Sequence, residues 1–546
     1  MLTKELWIAM RRILYYSFLL TFFPLQLFSQ DVLSDGVIYH HQTIESSTDY
    51  QKGNAFQKDF LLAMQLLKES HPAFAEGMEQ PFNIDEIVKK GYEDTKEMKD
   101  ADELMAYLQR IFSQLHDGHT LITSMLYDNS ATYPIRYFRE GNRYYLWGGT
   151  ERTAIYLGRE IKSINGVPVA EVVDAFRHDF SYENETDREE RLRDNVFRNM
   201  RFWKNKPFFR KDSTLMITFQ DGMTAVVKPT QGWMSLRMAK RRSGRGSGMS
   251  PRVDTSEAFT SSIDAERRIG YLQLNTCFDP YTTLLIMGMR GVEITDELVN
   301  SFKGKPNFHE YLKEFFADLQ EQEIKTLVID LRGNSGGCSL ISYELLSWLY
   351  PIRELKCVTE AIRYSPLYEQ FYAAEAKDDI ERVKAANQGT FSPNILYDSD
   401  TDKAYSEKSI IPEGFSGVDD NSELYNLSHR KIFKGNVLFL QDEKTYSAAA
   451  DIIIMAKDNG IGKVIGPKGC YLTSNYSSAL TWQLPNTGIS GMVSHRTCFR
   501  PDRDKLNEKE LVPDVLVTSS WNDALSSKDN CWEAVERLYL ERTQGE

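Results

Sequence analysis

The sequence predicts an α/β protein, because strand-like and helix-like segments alternate through its second half. Short apolar runs typical of buried strands occupy residues 269–274, 326–330, 436–440 and 463–466. Apolar residues at helical spacing fall between or after them, at residues 309–322, 339–350 and 447–458. Such alternation is the pattern of α/β domains.

Composition limits the function classes. The chain has 546 residues, 41% hydrophobic and 26% charged, which predicts two or three folded domains rather than a disordered or coiled-coil chain. A mean hydropathy of -0.44 excludes a protein with many membrane spans. The net charge of -13 is spread along the chain and repels phosphate, so we expect no nucleic-acid partner. Six cysteines are too few for a disulfide scaffold in a chain of this length. They form no CxxC pair, so neither a zinc knuckle nor a thioredoxin-type centre is indicated.

The first 30 residues have the pattern of a secretory signal peptide. Arg11 and Arg12 precede an apolar stretch at 13–27, which contains a proline. The stretch is shorter than the roughly 20 residues needed to cross a bilayer. We therefore expect cleavage near Ser29 or Gln30 and export to the periplasm or the cell exterior, without stable membrane insertion afterwards. An uncleaved N-terminal anchor is the alternative.

Periodicity and composition divide the rest of the chain into predicted domains. A helical N-terminal domain covers 31–130 and a β-rich module covers 131–237. A basic linker rich in glycine and serine covers 238–264, and the α/β domain covers 265–546. A polar insertion at 375–434 lies within the α/β domain, where it could shape or cover a cleft.

Three local predictions follow from turn and capping signals. Gly118 is expected to end the last N-terminal helix, because glycine favours the left-handed conformation there. Residues 187–203 are expected to form one helix. Asp221 and Gly222 are expected to form a hairpin turn between two strands.

A glycine turn follows the predicted strand 326–330. The segment LVIDLRGNSGG at 327–337 runs from that strand towards a helix, and glycines there allow backbone N–H groups to face a ligand. The segment lacks the Lys-Ser/Thr ending of a P-loop and the GxGxxG spacing of a dinucleotide site. An oxyanion hole is therefore favoured over a nucleotide site.

Ser447 begins the predicted helix that follows strand 436–440. Its hydroxyl is expected at the positive end of a helix dipole, next to small alanines that leave room for a substrate. These features suit a nucleophile. A plain N-cap serine is the alternative, because serine is among the commonest N-cap residues.

Taken together, the glycine turn, the segment TYSAA at 445–449 and the segment LVPDV at 511–515 resemble the serine peptidases that include the C-terminal processing peptidases and the tricorn core protease. The resemblance covers most of the mature chain. It implies a helical N-terminal region, a PDZ-like module at 131–237 and a catalytic domain of the crotonase and Clp-protease kind. It also implies Ser447 as the nucleophile.

The same resemblance assigns the oxyanion hole and the base. The hole is expected from backbone N–H groups of Gly336, Gly337 or Ala448. The segment DGHT at 117–120 is similar to the histidine segment of the tricorn-like branch, so His119 is the expected base. Processing peptidases use a lysine instead, for which Lys468 is the nearest candidate.

The third catalytic group departs from the family pattern. Tricorn-like members place a glutamate shortly before the Pro-Asp strand, and that position falls on Asn507 or Glu508, of which we expect Glu508. The serine usual beside the histidine is replaced by Gly118. His495 is a second, weaker candidate for the base.

The resemblance thus predicts an exported serine endopeptidase that acts on peptides or proteins without a metal or organic cofactor. One alternative is a catalytically inactive relative that binds peptides or apolar ligands, as the retinoid-binding protein of this family does. Another is a crotonase-like acyl-CoA enzyme, which export disfavours because coenzyme A is a cytoplasmic cofactor.

Overall fold

The computed structural model describes most of the chain after the predicted signal peptide. The described residues are 36–127, 131–232, 234–239, 250–289, 293–373, 375–399, 431–526 and 528–543. The predicted signal peptide, residues 240–249 of the predicted linker and residues 400–430 of the predicted insertion therefore lie outside the described residues. No helix in the described ranges is both long and apolar enough to span a bilayer.

Eighteen α-helices occur in the described ranges, and we number them in chain order. They are α1 Gln42–Glu45, α2 Thr48–Lys52, α3 Ala55–Ser70, α4 Ile84–Asp94, α5 Ala101–Phe112, α6 Thr123–Tyr127, α7 Val169–Asp174, α8 Glu185–Arg191, α9 Met200–Lys204, α10 Pro280–Met289, α11 Asp296–Ser301, α12 Phe308–Glu321, α13 Ser339–Leu346, α14 Pro366–Phe371, α15 Ala376–Ala386, α16 Ala448–Asp458, α17 Trp521–Ser526 and α18 Asn530–Thr543.

The described strands are numbered in the same way. They are β1 Val37–Ile38, β2 Ala131–Thr132, β3 Arg136–Glu140, β4 Arg143–Gly149, β5 Ile161–Ile164, β6 Val167–Pro168, β7 Leu215–Phe219, β8 Thr224–Val227, β9 Thr230–Gln231, β10 Arg237–Met238, β11 Phe259–Asp264, β12 Ile269–Leu274, β13 Thr326–Asp330, β14 Thr359–Ile362, β15 Tyr397–Asp398, β16 Asn436–Leu440, β17 Lys463–Gly466, β18 Asn475–Gln483, β19 Ser490–Phe499 and β20 Val515–Leu516.

A six-stranded sheet confirms the predicted α/β pattern. Its order is β11-β12-β13-β16-β17-β20, and every neighbouring pair is parallel except β11 with β12. Strands β13 and β16 are adjacent, with Asp330 opposite Leu440. The glycine turn after β13 and the serine loop after β16 therefore leave the same edge of the sheet, where ligands of open α/β sheets bind.

A five-stranded sheet joins the two ends of the chain. Its order is β1-β18-β19-β14-β15, so a strand from the N-terminal region pairs in parallel with β18. One buried core runs from Tyr39 through the N-terminal helices and the β-rich module to Val493. This packing holds the DGHT segment against the late part of the chain.

The β-rich module contains the four-stranded sheet β6-β5-β7-β8. Strands β7 and β8 form the hairpin predicted around Asp221 and Gly222, confirming that turn. The single helix predicted at 187–203 is wrong. A π-turn at Leu192–Val196 follows α8, and the Asn199 side chain caps a separate helix α9 by accepting from the Arg201 N–H.

The predicted role of Gly118 is also wrong. Helix α5 ends at Phe112, and after one 3-10 turn His116 takes the left-handed conformation with φ 50°. Gly118 serves a different purpose, because a Cβ there would lie 2.3 Å from Tyr446 Oη and 2.6 Å from Arg191 Nη2. A larger residue there would require the Tyr446 hydroxyl and the Arg191 guanidinium to shift, so glycine suits this close approach of the DGHT segment to the serine loop.

Candidate active site

Ser447 precedes α16 in an unusual backbone conformation. Its φ is 54° and its ψ is -133°, and its side chain makes no capping hydrogen bond. An N-cap serine has extended backbone angles and accepts from the first turn, so the N-cap alternative does not describe this residue. Left-handed conformations at non-glycine residues cost free energy and cluster at functional sites.

The Ser447 hydroxyl has no partner. The residue is 0% exposed, and its Oγ makes no hydrogen bond to any described residue. A buried hydroxyl without a partner is costly, so the surroundings hold it there against its own preference. This state suits a nucleophile that awaits a substrate.

The glycine turn packs directly on this serine. Gly336 has φ 100°, and a Cβ there would lie 2.7 Å from Ser447 Cβ and 2.9 Å from Ser447 Oγ. In addition, the Tyr446 N–H donates to the Asn334 carbonyl at 3.0 Å. The two segments predicted from sequence therefore form one site.

The backbone N–H groups predicted to form the oxyanion hole differ in whether they are free to donate to a substrate. The Gly336 N–H donates to Asn334 Oδ1 at 2.8 Å, so the prediction that it belongs to the oxyanion hole needs correction. The N–H groups of Gly337 and Ala448 make no hydrogen bond within the described ranges. Ala448 is the first residue of α16, where N–H groups are unpaired and the helix dipole is positive.

His119 lies in the same site in a fixed tautomer. The residue is 0% exposed, and its Nδ1 lies 2.9 Å from the Tyr476 carbonyl oxygen. A carbonyl can only accept, so Nδ1 carries the proton and Nε2 carries the lone pair. That Nε2 has no hydrogen-bond partner among the described residues. It has the properties of an available base.

Two ring contacts join the histidine to the serine segment. The His119 ring centroid lies 5.2 Å from that of Tyr446, the residue before Ser447, and 6.2 Å from that of Tyr471. The Tyr446 and Tyr471 rings also pack edge to face at 4.7 Å. The imidazole is thus seated on the residue that precedes Ser447.

Asp117 and His71 fix the histidine segment from behind. Asp117 Oδ1 accepts the His119 backbone N–H at 2.8 Å, and its Oδ2 lies 3.1 Å from His71 Nε2. His71 Nδ1 accepts the Ala73 N–H, so its Nε2 is the donor to Asp117. Burial alone would raise the pKa of Asp117, but hydrogen bonds from His119 and His71 hold that pKa well below its usual range.

Glu183 is a further carboxyl beside the base. Its Oε1 lies 3.8 Å from His119 Nδ1 and accepts the Tyr446 hydroxyl, and its Oε2 accepts the Leu472 N–H at 2.8 Å. Burial, together with the charge of Asp187, raises the pKa of Glu183 well above its usual range. This residue was not among the sequence predictions.

The structure does not place Glu508 at the imidazole. Its side chain is 66% exposed and its Oε2 lies 3.6 Å from an Arg500 guanidinium nitrogen, while Asn507 is also exposed. The prediction that Glu508 completes the catalytic group therefore needs correction. Its position in sequence before the Pro-Asp strand does not set the direction of its side chain.

The two alternative candidates for the base, Lys468 and His495, are bonded to other groups. Lys468 is half exposed and its Nζ pairs with Glu510 at 2.5 Å, so it is a surface ion pair. His495 is buried, and its Nδ1 bonds to the Ser478 carbonyl. Burial and the Arg496 charge lower its pKa well below the usual value.

One set of potential metal ligands occurs among the described residues. Ligand atoms of Asp117, His119 and Glu183 all lie within 4.8 Å of one another. Each of these side chains is already hydrogen-bonded to protein groups, as described above. We therefore interpret the set as the electrostatic surroundings of the imidazole.

Comparison with known proteins gives a family match for part of the chain and similar folds for most of it. Residues 268–517 match the model of peptidase family S41. Mature CPAF complexed with lactacystin is similar in fold, at 15% identity over 91% of this chain and 99% of that chain, with a TM-score of 0.58. A second structure of mature CPAF aligns at 15% identity over 90% and 97% of the two chains, with a TM-score of 0.56.

No curated protein sequence matches the chain. The family match nevertheless spans β12, the glycine turn, the Ser447 segment and β20. All the strands that form the edge carrying the glycine turn and the serine loop lie within it. The chain thus carries a segment at 268–517 that matches peptidase family S41, and it is a serine peptidase.

Proposed function

We propose that the chain is an exported serine endopeptidase in which Ser447 is the nucleophile and His119 the general base. The observation that carries the proposal is the pair of buried, unpartnered atoms, Ser447 Oγ and His119 Nε2, on segments packed through Tyr446. A hydroxyl that can give up its proton and a ring nitrogen that can accept one are the two groups that acyl transfer requires.

The proposed reaction begins with attack of Ser447 Oγ on a peptide carbonyl, as His119 Nε2 takes the hydroxyl proton. The Nδ1–H bond to the Tyr476 carbonyl keeps the imidazole oriented, and the Asp117 carboxylate favours the imidazolium that forms. His119 then gives its proton to the leaving amine. Water hydrolyses the acyl-enzyme through the same base.

The N–H groups of Gly337 and Ala448 are the proposed oxyanion donors. Both are unpaired within the described ranges. Gly337 follows Gly336, which lies next to Ser447, and Ala448 follows Ser447 itself. Donors fixed in a site closed to water stabilise the developing charge without reorganising. Because Ser447 and His119 are both fully buried, a substrate reaches them only after the covering segments move.

A fluorophosphonate probe tests the nucleophile, because it labels only an activated serine. Ser447→Ala should abolish both labelling and peptidase activity, and His119→Ala should lower kcat/KM at least ~100-fold. Ser478→Ala is the matched control, since Ser478 is a second buried serine with positive φ (55°). Labelling that survives in Ser447→Ala would refute the assignment.

The inactive ligand-binding relative is the second candidate. The complete burial of Ser447 and the displacement of Glu508 from the base favour it. A wild-type protein that fails to label, and cleaves no peptide in a mixed library, would support this candidate.

A further inference from the structure

Arg191 is a buried cation that the proposed reaction does not use. It is the last residue of α8 and is 7% exposed. Its Nε lies 2.6 Å from Oδ1 of Asp187, one helical turn earlier on the same face of α8. Removing a guanidinium from water is costly unless its donors meet good partners, so the groups around its other two nitrogens are significant.

The first of these groups belongs to the histidine segment. Arg191 Nη1 donates to the Gly118 carbonyl at 3.3 Å, and Gly118 directly precedes His119. A Cβ at Gly118 would lie 2.6 Å from Arg191 Nη2, so the guanidinium lies against the backbone of this residue. The hydrogen bond and the contact together restrain the backbone next to the proposed base.

The second group belongs to the serine segment. The guanidinium carbon of Arg191 lies 5.4 Å from the centre of the Tyr446 ring, within the range of cation–π attraction. Tyr446 directly precedes Ser447, and its ring centroid lies 5.2 Å from that of His119. One planar side chain therefore contacts both segments that carry the proposed catalytic pair.

Asp187 extends the same arrangement to Glu183. Its Oδ2 accepts the Glu183 N–H at 2.9 Å, while its Oδ1 accepts from Arg191. The Glu183 carboxyl in turn accepts the Tyr446 hydroxyl. The Asp187–Arg191 pair thus joins α8 to the backbone beside His119, to the ring beside the serine and to the carboxyl near the imidazole.

We propose that Arg191 is a positioning residue that sets the distance between the His119 imidazole and the Ser447 hydroxyl. The inference rests on the proposed function, because it concerns the alignment of that base and that nucleophile. In this role Arg191 acts through Gly118 and Tyr446 rather than on the substrate. Proton transfer depends steeply on alignment, since a misplacement of about 1 Å can cost about 100-fold in rate.

Arg191→Lys tests the inference while keeping a cation beside Asp187. The single amine of lysine cannot pair with Asp187, reach the Gly118 carbonyl and lie over the Tyr446 ring at the same time. We expect kcat to fall at least about 10-fold and KM to change less than about threefold, because alignment is impaired and substrate contacts are kept. Steady-state kinetics on a peptide that wild type cleaves measure both constants.

Arg188→Lys is the matched control. Arg188 lies on the same helix and is 6% exposed, but its guanidinium pairs with Glu185 and lies over the Tyr182 ring. This variant should keep the wild-type kcat. A fall in kcat as large as that of Arg191→Lys would assign the effect to the packing of α8 and overturn the inference.

A double-mutant cycle separates alignment from a general structural defect. If Arg191 aligns His119 with Ser447, Arg191→Lys should lower kcat/KM less than about twofold in a His119→Ala background. A structural defect would lower kcat/KM by the same factor in both backgrounds, and that result would also overturn the inference.

Asp187→Asn provides a second variant. Asparagine keeps an oxygen for the Glu183 N–H but removes the charge that holds Arg191. The same pattern of lowered kcat and nearly constant KM is expected, with a smaller loss than in Arg191→Lys.

The outcomes separate this inference from the proposed function. Wild type that labels with fluorophosphonate, together with normal kcat in Arg191→Lys and Asp187→Asn, would overturn the positioning role alone. Wild type that does not label would instead count against the proposed nucleophile.

Discussion

Two carboxyl side chains near His119 have pKa values shifted in opposite directions. Asp117 is ionised and fixes the backbone of the histidine segment, while Glu183 sits 3.8 Å from Nδ1 with a raised pKa. The two carboxyls therefore differ in charge over part of the pH range, although both face one imidazole. Environments that shift the pKa values of two neighbouring acids in opposite directions are typical of active sites.

Glu183→Gln should affect activity in a pH-dependent manner. As pH rises through its raised pKa, Glu183 ionises and stabilises the imidazolium, which glutamine cannot do. We expect the wild-type advantage in kcat/KM to be small at low pH and to grow to about 10-fold at alkaline pH. A pH series of kcat/KM for both proteins measures it.

Stability should change in the opposite sense. A buried acid with a raised pKa binds its proton more tightly in the folded than in the unfolded state, so its stabilising effect is lost as pH rises through the folded value. Glu183→Gln should therefore gain melting temperature relative to wild type as pH rises. A constant activity ratio and a constant difference in melting temperature would together show that Glu183 is only a packing residue.

At the scale of elements, the glycine turn and the serine loop depend on each other. A Cβ at Gly336 would lie within 3 Å of Ser447 Cβ and Oγ, so a side chain there should displace the proposed nucleophile. Gly389 offers a matched comparison, because its φ is also positive (86°) but a Cβ there meets nothing within 4 Å. Substituting each glycine by alanine therefore separates the effect of backbone strain, which both share, from the effect of contact with Ser447, which only Gly336 has.

Gly336→Ala should reduce kcat/KM by at least ~100-fold, because shifts of about 1 Å at a catalytic group are that costly. Gly389→Ala should cost about 1–2 kcal/mol of stability from the left-handed backbone and leave activity near wild type. Kinetics and denaturant unfolding of both variants measure the difference. Near-normal activity in Gly336→Ala would show that the turn does not constrain Ser447.

The elements near the serine could be predicted because their signals are local. The strand 326–330 and its glycine turn are adjacent in sequence, and Ser447 directly precedes its helix. Glu183 and His71 could not be found this way. Glu183 accepts a hydrogen bond from Tyr446, which is 263 positions away in the sequence. In the sequence, His71 is only a residue between a predicted helix and a proline. The prediction that Glu508 lies at the imidazole needed correction, because closeness in sequence to a strand does not determine where a side chain points.

On the scale of the whole molecule, the first 30 residues predict export, and they lie outside the described part of the chain. N-terminal sequencing of the protein from its native host should find a start near Gln30, because the basic and apolar segments have the proportions of a cleaved signal. Met1 recovered from the membrane fraction would show instead that the segment is an anchor.

The candidate active site draws on regions that are far apart along the chain, since His119 bonds to Tyr476 across 357 positions. During synthesis the histidine and Glu183 emerge from the ribosome long before the serine. A chain interrupted between them has the proposed base without the proposed nucleophile. The candidate active site therefore forms only when the late part of the chain has been made and has folded against the early part.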